Sequence, residues 1–218
     1  MAKNSEKSKS KEAVGSGGSQ NKIMIVLKFI FFILLLPLVI TSTIGFVKEL
    51  NALPLDLTEA FVRGIFIFLI IHLFIYELQI IYQYGQNLVS IIFGFFSPLV
   101  KVAPFFLPIY SIIFLIAFYF VNLIFKSPSL GNYFMLFVGF TLAMHLVFTA
   151  KVLRGKDPNA IKPNYFFAIS LIYVINIFIV AVLFNLILSD FSFANFFRAS
   201  TSEAADIFKA IFKQLFVP

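Results

Sequence analysis

The stretch Ile23–Val47 reads IMIVLKFIFFILLLPLVITSTIGFV, with Lys28 its one charge and Pro37 its one residue without a main-chain donor. A bilayer's hydrocarbon core is about 30 Å thick and takes about 20 consecutive apolar residues to cross as a helix. Lipid offers no hydrogen-bonding partner, so a backbone there must satisfy its own N–H and C=O groups, which a helix does within one segment. The apolar core of a secretory signal is only about 7–15 residues and ends at a small-residue cleavage site. This run is longer and no such site follows it, so it reads as a retained span with a kink at Pro37.

Composition extends that reading to the whole chain. Of 218 residues, 61% are hydrophobic and 12% charged, and the mean hydropathy is +0.99. A soluble domain holds roughly 45–50% apolar and about 25% charged residues. So few charges cannot cover so much apolar surface in water, and lipid must face most of it. The chain has no cysteine, which excludes disulfides, thiolate catalysis, iron–sulfur clusters and Cys-ligated zinc. The net charge of +7 is spread over tails and loops, with no basic base-reading helix, which argues against nucleic acid as a partner. Phe occurs 32 times and Trp never, a skew that fits an AT-rich genome and takes weight from any argument built on Phe abundance.

Outward from the first span the pattern repeats. Residues 1–21 are rich in Lys, Ser and Gly and predict a disordered basic tail. A second span is expected over Phe61–Tyr84, a third over Pro104–Phe125, a fourth over Tyr133–Val152 and a fifth over Tyr165–Leu188. Between the second and third, Leu88–Val100 is apolar but short and broken by Gly94, Ser97 and Pro98, which predicts a re-entrant or interfacial element. The expected fold is therefore all-α: a polytopic transmembrane helical bundle over 22–190 with about five spans, followed by 191–218. There Ala204, Ile207, Phe208, Ile211, Phe212, Leu215 and Phe216 recur every three or four residues opposite Glu203, Asp206, Lys209 and Lys213. That is an amphipathic helix, with Ser200, Thr201 or Ser202 as its expected cap. Its apolar face predicts a place in the outer interface, or against the bundle or a partner.

Lys and Arg in the flanks set orientation. With the N-terminus inside, ten of the 17 basic residues lie on the cytoplasmic side and six outside, Lys28 belonging to neither. The sequence thus predicts N-terminus in and C-terminus out, in what reads as a prokaryotic cytoplasmic membrane.

Polar groups within spans are costly, so each is a functional suspect. These are His72 and Glu77 in the second expected span, His145 in the fourth, and Asp157 in the following loop. The bland readings stand beside them: His72 bonded to Tyr76 four residues on, and Asp157 as a turn residue before Pro158. Glu77 is the least bland, because a carboxylate at that depth must be neutralised or matched.

The run Ala103-Pro104-Phe105-Phe106-Leu107-Pro108-Ile109-Tyr110 resembles the A-P-Y-F-x-P-x-Y run of one branch of the M50-like, site-2-protease-related membrane metallopeptidases. The stretch from Gly139 through His145 and Asp157 to Asn176 is similar to the same branch. On that alignment Tyr76-Glu77-Leu78-Gln79-Ile80 takes the place of the family's His-Glu-x-x-His, whose histidines bind zinc while the Glu serves as base. Tyr76 and Ile80 cannot replace two imidazoles as ligands. Glu77, His145 and Asp157 are what remains as candidate metal ligands, with Glu77 the one catalytic candidate, and binding zinc there would consume the base that hydrolysis needs. The resemblance therefore implies a degenerate member without peptidase activity and with no cofactor expected, zinc being conceivable only at those three residues. Such a protein would keep company with the lipid bilayer and another membrane protein. A transporter or channel subunit, with a site near Glu77 and residues 88–100, is the alternative, and haem held by His72 and His145 is a third reading.

Overall fold

The structure is a computed structural model that describes residues 3–75, 78–125, 128–155 and 163–216. Among the described residues it is all helix: α1 (Lys3–Leu50), α2 (Leu55–Phe74), α3 (Leu78–Ile92), α4 (Ser97–Val100), α5 (Ala103–Phe106), α6 (Ile109–Phe125), α7 (Pro128–Gly155), α8 (Pro163–Ile187) and α9 (Phe193–Phe216). Four stretches are long and apolar enough to cross a bilayer, Ile23–Leu50, Leu55–Phe74, Leu130–Gly155 and Tyr165–Ile187. The chain is a multi-pass α-helical membrane protein. The helical backbone of α1 extends upstream to Lys3.

Two boundaries differ from expectation. The apolar run 61–84 is not one helix: α2 ends at Ile75, an extended residue whose N–H bonds the Ile71 carbonyl, and a separate helix α3 follows from Leu78. Averaged hydropathy does not register such a break, because the runs 61–75 and 78–84 are both largely apolar. The expected third span likewise splits. Leu107 is extended, as a residue before proline prefers, so Pro108 parts the single turn of α5 from α6. At 17 residues α6 is about 25 Å long, short for a hydrocarbon core. The segment 88–100 is no unit of its own: its first residues finish α3, and a turn over 93–96 leads into α4.

Packing gives the helix directions. Thr58 donates to the Leu50 carbonyl at 2.6 Å and Phe46 meets Phe61, which makes α1 and α2 a hairpin. Phe32 lies on Phe166 near one end and Phe46 on Phe184 near the other, so α1 and α8 run the same way. Gly64 faces Leu136 and Phe140, and Phe68 and His72 reach Phe148, so α2 and α7 share a direction too. Ser111 bonds Thr141 while Phe118 meets Phe134, which sets α6 against α7. Helices α1, α6 and α8 thus run one way and α2 and α7 the other, with α3–α5 an excursion between α2 and α6.

The closest contact in the bundle is α2 on α7. Ala60 and Gly64 on one helix, and Gly139 and Ala143 on the other, are small residues four apart, a spacing that lets backbones approach within a membrane. Beside this contact a core of aromatic rings, Phe46, Phe61, Phe184, Phe191 and Phe196, joins α1, α2, α8 and α9. The start of α9 also departs from expectation. Ser192, not the Ser200–Ser202 group, caps it: the Ser192 hydroxyl accepts the Asn195 N–H at 3.3 Å, leaving Ser200 inside the helix and fully buried.

Candidate functional site

On α7, Thr141, His145 and Thr149 fall four residues apart, hence on one helix face. All three are buried, and each has a partner on a different element. Thr141 bonds Ser111 of α6 at 2.9 Å, and its hydroxyl also lies 2.7 Å from the Phe137 carbonyl one turn back. His145 donates from Nε2 to the main-chain carbonyl of Phe105 in α5 at 3.1 Å. Thr149 bonds the phenol of Tyr82 in α3 at 2.9 Å. One polar stripe therefore fastens α3, α5 and α6 to α7, each bond in surroundings where an unpaired polar group is costly.

Helix α3 lies over this stripe with Tyr82, Gly85 and Val89 inward. A Cβ on Gly85 would stand 2.6 Å from the Tyr110 ring, so any larger residue there would have to push that ring aside. Tyr110 in turn donates to the Ile81 carbonyl at 2.7 Å, and the Gln86 amide donates to the Pro104 carbonyl. Burial pushes the Tyr82 phenol up to about 12, against a smaller opposing effect of its Thr149 bond, so it remains a donor at neutral pH. The space left among Tyr82, Gln86, Tyr110, Thr141 and His145 is a cavity of about 10 Å³. That volume is the room of a single water.

His72 sits in the last turn of α2, its ring stacked on Phe68 with centroids 5.4 Å apart and edge-on to Phe148 at 5.1 Å. Its Nδ1 is buried without a hydrogen-bond partner, and the expected partner Tyr76 lies outside the described residues. Ring contacts run on from His72 through Phe148 and Tyr82 to His145. The two histidines thus border one packed aromatic cluster and do not face each other across an open slot of the kind haem requires.

Of the three candidate metal ligands only His145 is described; Glu77 and Asp157 lie outside the described residues. Among the described residues no three His, Asp or Glu side chains come together, and the Nε2 of His145 is engaged by a carbonyl.

Sequence reasoning singled out His145 but missed Thr141, Thr149, Tyr82 and Ser111. The four-residue spacing on α7 was a legible signal for the two threonines; the partners on α3, α5 and α6 were not. No family model matches this chain, and neither a curated protein nor a solved structure is similar to it.

Proposed function

We propose that this chain is a non-catalytic membrane scaffold, a degenerate relative of the M50-type metallopeptidases, that seats a transmembrane segment of a partner protein between α6 and α8. One observation carries the reading: a lipid-facing groove of about 410 Å³ lined by Ile116, Tyr119 and Phe120 of α6 and by Leu183, Leu186 and Ile187 of α8. A groove between two helices takes the side-chain ridge of a third, and within lipid such packing is what holds helices together. Its walls are apolar apart from the Tyr119 phenol. The polar stripe under α3 supports the same reading from the other side, since its donors and acceptors are spent on one another.

In this reading the protein resides in a prokaryotic cytoplasmic membrane, N-terminus inside and C-terminus outside, as the Lys and Arg distribution favours. The test is a photoreactive amino acid at Ile116 or Leu186 in living cells. We expect one discrete protein adduct, lost when Leu183→Trp fills the groove. Adducts to lipid alone would overturn the scaffold, and stoichiometric zinc that Glu77→Ala removes would overturn its non-catalytic character.

A transporter or channel subunit is the second reading, favoured by the broken segment α3–α5 lying over buried polar groups, an arrangement known from transporter binding sites. Solute flux in proteoliposomes that disappears on substituting Glu77 would select it over the scaffold.

A further inference from the structure

Helix α9 has two halves in different surroundings. Its first half is held at every turn. The Phe193 N–H bonds the Asn185 side chain at 2.9 Å, and Phe196 packs on Phe178 with ring centroids 4.9 Å apart. Thr41 donates to the Ser200 carbonyl at 2.8 Å, and Lys48 pairs with Glu203 at 2.6 Å. Small residues allow this: a Cβ on Gly45 would stand 2.8 Å from the Ser200 hydroxyl oxygen, so α1 and α9 approach closely at this point.

Toward the C-terminal end of α9 the apolar side chains are exposed. Ile211, Phe212, Leu215 and Phe216 are 43%, 61%, 69% and 67% exposed, and Phe212 and Phe216 stack on each other with centroids 4.8 Å apart. With Phe208 they line an open trough formed by α9 itself. Lys209, held by Asp206 at 3.1 Å, lines the edge of that trough, and Lys213 lies further round the helix.

We infer that the second half of α9 lies in the boundary between headgroups and acyl chains, with bilayer lipid as the occupant of its apolar face. Depth supports this choice. The apolar part of α1 is 28 residues long, about 42 Å as a helix, so it overreaches a core of about 30 Å. Its last turn, carrying Lys48, therefore stands at headgroup level and holds Glu203 there, while Thr41, two turns back along α1, holds Ser200. A helix leaving that point with an apolar stripe, Lys209 at its edge and Lys213 further round has the pattern of an interfacial helix, its lysine stems long enough to reach the aqueous side. Lipid is continuous with the exposed apolar faces of α1 and α8 alongside, so no second protein is needed to cover the stripe.

The chain lacks cysteine, so single-site labelling has no background. A nitroxide is attached to Phe212→Cys or to Lys213→Cys in the full-length protein in liposomes, and its collisions with oxygen and with a water-soluble nickel chelate are compared. We expect the oxygen-to-nickel ratio to be high at 212 and to reverse at 213. Nickel access at both positions would place this half in water and overturn the inference. Protection from both reagents at 212 would place it against protein, a second copy or a partner, and would overturn it equally.

Discussion

Gly139 of α7 rests on the main chain of Phe61 in α2, so closely that a Cβ there would overlap the Phe61 carbonyl oxygen. Gly64 stands in the same relation to Leu136 from the other side. Alanine is the better helix former by about 1 kcal/mol, so propensity alone favours replacing either glycine. Packing decides the sign the other way, because backbone cannot move aside as a side-chain tip can. Gly139→Ala is expected to lower stability by about 1–3 kcal/mol. Gly155→Ala, where nothing lies within 4 Å of the added methyl, should stay within about 0.5 kcal/mol of the parent. Unfolding in mixed detergent micelles measures both, and a stabilised Gly139→Ala would refute the backbone contact.

The seat of α9 separates contacts of different worth. The Lys48–Glu203 pair has side chains 58% and 37% exposed, and such pairs contribute about 0–1 kcal/mol, so Lys48→Ala should hardly loosen the helix. Thr41→Val removes one interhelical hydrogen bond, which within membranes averages about 0.6 kcal/mol. Ser200→Leu is the severe change, since its side chain has no room beside Gly45. Limited proteolysis at Arg198 and Lys209 should be fast in Ser200→Leu and close to parental in the other two variants. Equal protection in all three would mean that the Gly45–Ser200 contact does not hold α9.

Long apolar runs made α1, α7 and α8 legible in the sequence, since length and hydropathy are the properties that membrane crossing tests. The same signal could not place the break after Ile75 or the one at Leu107–Pro108, because a span and a broken span share one composition. The cap of α9 was misplaced for a related reason. Ser200–Ser202 precede the most regular apolar stripe, yet the buried face begins earlier, at Phe196, and Ser192 supplies the oxygen at the helix start. In the candidate site His145 stood out as a polar residue in an apolar helix. Its partner, the Phe105 carbonyl, depends on where α5 packs, which no local pattern encodes.

His145 is expected to act by fastening α5. Alanine in its place takes the donor away from the Phe105 carbonyl and leaves a void. Losing a buried hydrogen-bond partner costs about 1–3 kcal/mol, so His145→Ala should unfold earlier, and His145→Gln, which keeps an N–H, should recover part of the loss. Tyr82→Phe and Thr149→Val each orphan one hydroxyl. Removing both leaves none behind, so the double variant should cost less than the sum of the two single ones. Strict additivity in that cycle, read from thermal unfolding, would show that the two hydroxyls do not bond in the membrane-embedded protein.

Orientation supplies the last prediction. Helices α1, α6 and α8 run against α2 and α7, so the α7 end at Arg154 and the turn at Ser189 lie at opposite ends of α8. Both residues are exposed, and the absence of native cysteine makes each a clean reporter. In the proposed orientation, with the excess of basic residues inside, the Arg154 end faces the cytoplasm. In intact cells a membrane-impermeant maleimide should therefore label Ser189→Cys and spare Arg154→Cys, and lysis should expose both. The reverse pattern would keep the bundle and invert its orientation. Labelling of both in intact cells would mean that α8 does not cross the bilayer, and the alternation of helix directions would then need another explanation.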